Sequence, residues 1–110
     1  MRVYLSLTFE LLAAFDAAGS VSGDVARFVA DDASEEAEYA ALMSAAAASA
    51  ELSPGPGRRV VLAADVVELA GDVPRQMWAA VHVDTDDDAD VDDDLAWYAT
   101  QEIPELLAGR

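Results

Sequence analysis

"RRVVLAADVVELAGDVPRQMWAAVHVD", residues 58–84, is the stretch on which the fold turns. "RRVVLAADVV" is a near-continuous apolar run, the pattern of a strand covered on both faces, and "MWAAVHV", residues 77–83, repeats it. Only about ten residues, Val67 to Gln76, separate the two predicted strands, the first of which ends near Asp65. A parallel crossover needs roughly a dozen residues or more, so the short connection favours a hairpin of neighbouring central strands. In a hairpin, Asp65 and Asp84, each at the end of an apolar run, lie at opposite ends of the sheet. In a parallel pair they would lie together.

Working outward, "RVYLSL", residues 2–7, alternates Val3, Leu5 and Leu7 with Arg2, Tyr4 and Ser6, and a period of two predicts a strand. Thr8 can cap a helix carrying Leu11, Leu12 and Phe15, which Gly19 stops. "DVARFVA", residues 24–30, reads as a second strand. Ser34 then opens the longest helix: a hydroxyl cap, Glu35, Glu36 and Glu38 where the helix dipole favours acids, and alanines of high propensity. Its apolar face is expected to include Tyr39, Leu42, Met43 and Ala46, with Leu52 near the end, and "SPGPG", residues 53–57, to terminate it. Beyond residue 84, Leu95, Tyr98, Ala99, Ile103, Leu106 and Leu107 share a helical face, while "LAWYA" alone reads equally as a strand. Pro104 requires a break near Ile103. The sum is one α/β domain over residues 1–110, a mixed sheet of four or five strands packed by about three helices in the order β-α-β-α-β-β-α.

Composition removes several function classes. There is no cysteine, which excludes disulfides, thiolate metal sites and cysteine nucleophiles. Against 22 acidic residues stand 6 arginines and no lysine, for a net charge of −16. That field repels nucleic acid and anionic membranes, which are bound by neutralising phosphates. The amino-terminal "MRVYLSLTFELLAAFDAAG" is apolar, but Glu10 and Asp16 interrupt it and it reads as folded protein rather than a signal peptide. The uncharged stretch from Tyr39 to Ala50 falls short of the roughly 20 residues that span a bilayer. A soluble, cytoplasmic protein is expected.

With "MRVYLSLT", "EYAALMSAAA", "RRVVLAADV", "AAVHVD" and "WYATQEIPELL" in this order, the chain resembles a family of short acidic actinobacterial proteins known only as a domain of unknown function. The likeness runs from Met1 to about Leu107, and "WYATQE" is its most distinctive block. It implies a bacterial cytoplasmic protein and brings no cofactor or catalytic residue with it.

Candidate chemistry rests on three groups of residues. Seven aspartates lie between Thr85 and Leu95, but as a calcium loop starting at Asp84 or Asp86 the tract puts Ala89 or Val91 where the turn glycine belongs and Leu95 or Trp97 where the bidentate glutamate belongs. The tract reads instead as a hydrated connector whose Asp92–Asp94 end caps the last helix. Asp65 and Asp84 with His82, the only histidine, can hold Mg²⁺ for phosphoester hydrolysis if their strands are parallel; otherwise His82 is a strand-face histidine paired with a carboxylate. Trp97, Tyr98, Thr100, Gln101 and Glu102 combine aromatic surface with amide and carboxylate groups, the mixture that lines ligand or partner contacts. The competing expectation is that Trp97 and Tyr98 anchor the last segment on the core, so that Trp97→Ala would destabilise. No Gly-rich phosphate loop is present, and Arg58 and Arg59 are expected to balance nearby acids. The favoured function is a non-catalytic module that binds a protein partner or forms a homo-oligomer, without cofactor; a metal-dependent hydrolase is the alternative.

Overall fold

A computed structural model describes residues 1–53 and 57–109. In chain order it contains β1 (Arg2–Leu7), α1 (Phe9–Ala18), β2 (Ser20–Val21), β3 (Arg27–Val29), α2 (Glu35–Leu52), β4 (Val60–Asp65), β5 (Val73–Pro74), β6 (Trp78–Val83), β7 (Ala96–Tyr98) and α3 (Ile103–Ala108). Five strands form one sheet in the order β3-β1-β4-β6-β7, and β2 pairs with β5 in a small separate ladder. The α/β class and the three helices follow the sequence reading. The pairing does not: every ladder is antiparallel, where a mixed sheet was expected. The connection between β4 and β6 is too short for a crossover, and the longer excursions return their strands in the opposite direction.

β4 is central and buried from Val60 to Ala64, as its unbroken apolar run requires. On one face lie Val3, Leu5, Leu7, Val60, Leu62, Val81 and Val83, covered by Leu12 of α1, Val21 and Val73 of the small ladder, and Ile103 of α3. On the other lie Tyr4, Val61 and Ala63, covered by α2. This gives three layers, with the larger core on the α1 side.

Strict alternation along β6 would turn Trp78 toward α2. The register slips between Ala63 and Ala64, so that Ala63 faces Ala80 and Ala64 faces Trp78, with Ala79 as the extra residue of a bulge. Trp78 thereby joins Leu62 and Val81 in the larger core, 7% exposed. Its indole Nε1 donates to Val73 O at 3.0 Å, and the Arg75 guanidinium lies 4.6 Å from the ring centroid.

The helix termini form as the sequence indicates. Thr8 Oγ1 accepts from Leu11 N–H at 3.1 Å, Ser34 Oγ accepts from Ala37 N–H at 3.1 Å, and Gly19 closes α1 in the left-handed region at φ 75°. α2 ends at Leu52; the Pro54–Pro56 part of the expected "SPGPG" stop lies outside the described residues. Of its expected apolar face, Ala46 is buried and Leu42 packs on the core, but the rest differs. Ala41, Ala45, Ala46 and Ser49 face the sheet, while Tyr39 and Leu52 are exposed. Small side chains let the helix approach closely enough for two reciprocal hydrogen bonds: Ser49 Oγ donates to Leu7 O at 2.6 Å, and Ser6 Oγ donates to Ala45 O at 2.7 Å.

Candidate functional site

The residues singled out in the sequence fall into three places. Asp65 ends β4 in register with Arg2, and the Arg2 guanidinium donates to both its carboxylate oxygens, at 2.7 and 3.3 Å. Asp84 follows β6 at the other end of the sheet, roughly 20 Å away along the strands at about 3.3 Å per residue. Antiparallel pairing thus separates the two carboxylates of the Mg²⁺ arrangement. Among the described residues no three His, Asp or Glu side chains stand close enough to hold a metal ion together.

Asp84 is instead half of a buried ion pair. Arg59 Nε donates to Asp84 Oδ2 at 2.8 Å and Nη2 to Oδ1 at 2.8 Å, a bidentate fork, and the Arg59 backbone N–H donates to Oδ2 at 2.9 Å. The side chains are 6% and 1% exposed. The hydrogen bonds to Asp84 raise the Arg59 pKa above its ordinary value and keep the guanidinium charged. Its remaining donors reach into the aspartate tract, Nη1 to Val91 O at 3.0 Å and Nη2 to Asp93 O at 2.8 Å. Tyr39 Oη adds a bond to Asp94 at 2.8 Å. The tract is therefore a clasped connector that leads into β7. Its Asp92–Asp94 end does not cap the last helix, because the chain first forms β7 and a 3₁₀ turn over Thr100–Glu102, and α3 begins at Ile103 with Pro104 in its first turn.

The stretch from 95 to 102 resolves as strand and turn. A strand sends successive side chains to opposite faces, so the Trp97–Tyr98 pair is split. Tyr98 turns to the larger core and, with Arg58, Glu102, Glu105, Leu106 and Gly109, lines a depression of about 260 Å³. Glu102 Oε2 accepts from Ala99 N–H at 2.9 Å, which holds the turn, and Gln101 points to solvent. Trp97 turns the other way, is 62% exposed, and does not anchor the core; the buried anchor is Trp78.

Trp97 stands in register with His82, and His82 with Val61. α2 lies over β3, β1 and β4, so β6 and β7 extend beyond it and leave a strip of sheet face carrying His82 and Trp97. The His82 ring is half-buried, 6.2 Å from the Tyr4 ring centroid and tilted 54° to it. Burial, and then the nearby Arg2 charge, lower the His82 pKa below its ordinary value. Among the described residues it has an aromatic neighbour rather than the expected carboxylate partner. The strip and the acidic connector are contiguous through Leu95, which packs against the core under α2. Sequence reasoning picked out Trp97 and the tract, but not Arg59 as the residue that joins the tract to the sheet; the adjacent Arg58–Arg59 pair was the available signal.

No curated protein and no solved structure matches the chain. A model for a family of unknown function, DUF6912, matches residues 1–107, and the chain belongs to that family.

Proposed function

We propose that this domain is a non-catalytic binding module, working in the cytoplasm, that docks a basic segment of a partner protein on the His82–Trp97 strip beside the aspartate tract. The observation that carries the reading is Trp97, a large aromatic held on a regular strand with most of its surface in water. Exposed tryptophans bordered by charge are frequent anchors of protein interfaces. The clasp at Arg59 fixes the tract that leads into the strand carrying Trp97, and a net charge of −16 favours a cationic partner while opposing the close approach of a second copy. No helix among the described residues is long and apolar enough to cross a membrane.

The test is a photo-crosslinking amino acid placed at position 97 and, as a control, at exposed position 67, in cells that make the protein. Adducts to one protein from position 97 alone, lost when NaCl is raised to about 0.5 M in the lysate, support the proposal. Equal labelling from both positions, or none from 97, overturns it. Sedimentation of the purified protein tests self-association: a dimer that Trp97→Ala dissociates would assign the strip to a second copy of the chain.

A further inference from the structure

A second surface feature lies at the opposite edge of the sheet. β3 covers β1 only from Val3 to Leu5; past that point a single bond, Ser6 N–H to Ala26 O at 3.1 Å, holds the loop against the strand. α1 and α2 sit on opposite faces of the sheet and both overhang this uncovered edge. Between them opens a cleft of about 570 Å³. Leu11 and Phe15 of α1, Val25 of the loop, and Ala48 and Leu52 of α2 supply apolar walls. Ser6, 1% exposed, lies at the base with its hydroxyl proton already given to Ala45 O. Two exposed carboxylates, Asp24 and Glu51, stand at the mouth, and among the described residues no basic one lines the cleft. Ser22 Oγ donates to Asp24 Oδ1 at 2.6 Å, which leaves Oδ2 for another donor.

The volume falls within the range of small-molecule sites, and the chemistry is one-sided: apolar walls, a satisfied polar base and anionic groups only at the entrance. We propose that this cleft binds small amphipathic cations, molecules with an apolar body that fills the space between the helices and an ammonium group that meets Asp24 and Glu51. An anion of the same shape would face both carboxylates and the field of the whole chain. A polar solute would leave the Leu11, Phe15 and Leu52 surfaces without apolar contact.

Phenylbutylamine is the probe, with phenylbutyrate and phenylbutanol as the anionic and neutral molecules of similar shape. Titrations at about 0.15 M NaCl, followed by methyl NMR of the whole chain, are expected to show saturable one-to-one binding of the amine with shifts at Leu11, Val25 and Leu52. The alcohol should bind more weakly and the carboxylate at least about tenfold more weakly, since each exposed charge contact is worth a few-fold in affinity. Ala48→Phe fills the cleft and should abolish binding. Leu52→Arg, at a position 49% exposed where the change leaves the core intact, should weaken the amine about tenfold by placing a like charge at the mouth. Shifts confined to Asp86–Asp94, equal affinity for amine and carboxylate, or affinity unchanged in both variants would overturn the proposal.

Discussion

Trp78 and Trp97 lie on adjacent strands yet in opposite environments, and truncating each should separate them cleanly. Trp78→Ala removes a buried aromatic and is expected to cost on the order of 3 kcal/mol or more in urea unfolding, whereas Trp97→Ala should stay within about 0.5 kcal/mol of wild type. A matched loss in the two variants would contradict the burial pattern. Arg59 and Asp84 make a different kind of demand. Asp84→Ala leaves a guanidinium buried without its counter-charge, and breaking such pairs costs roughly 3 to 5 kcal/mol, while the double variant Arg59→Met with Asp84→Leu should recover much of that loss. Non-additivity in denaturant midpoints is the check. For His82 the sign follows from its lowered pKa: the folded chain binds the proton less readily than the unfolded chain. Its stability is whole above the ordinary value of 6.5 and is lost as pH falls below it. Between about pH 7.5 and 5.5 the wild type should lose stability relative to His82→Gln. Parallel pH profiles for the two proteins would remove His82 as the cause.

At the scale of elements, α2 carries the clearest test. Ser49 Oγ donates to Leu7 O and accepts from Val60 N–H at 2.9 Å, so Ser49→Ala should cost about 2 kcal/mol. Leu7 and Val60 are partners in the β1–β4 ladder, so what the variant loses is the two Ser49 bonds; a melting temperature unchanged in thermal unfolding would refute that role. The same helix shows where sequence reading stops. Its caps, and the strands β1, β4 and β6, are written in local patterns of hydroxyls, acids and apolar spacing, and they form where those patterns lie. Which side of α2 is buried is not local: the largest apolar residues suggested Tyr39 and Leu52, but the fully buried positions against the sheet are alanines and Ser49, with Leu42 packed at their margin. β7 obeys the same rule. Alternation implies that Trp97 and Tyr98 face opposite ways, yet only the position of α2 decides which of them meets water. The bulge at Ala79 and the reach of Arg59 to Asp84 are likewise settled by pairing between segments, not within them.

For the molecule as a whole, the dominant electrostatic fact is like charge. Asp86→Asn, Asp87→Asn and Asp88→Asn together remove three exposed carboxylates and sacrifice only the loose Asp87–Arg58 contact at 3.6 Å, an exposed pair of little value. The triple variant should melt higher than wild type at about 10 mM NaCl, and the gain should shrink toward about 0.5 M as salt screens the repulsion. A melting temperature lowered by the substitutions at both salt levels would mean that the tract stabilises the fold through contacts of its own. The strand order also has a temporal side. β1 is flanked by β3 and β4, so it cannot complete its pairing until the chain through Asp65 exists. At about 5 to 20 residues per second, the ribosome holds Val3, Leu5 and Leu7 without their β4 partner for roughly 3 to 12 seconds. Throughout that interval β1 has one backbone edge without its β4 ladder and its apolar side chains without the strand that completes their face.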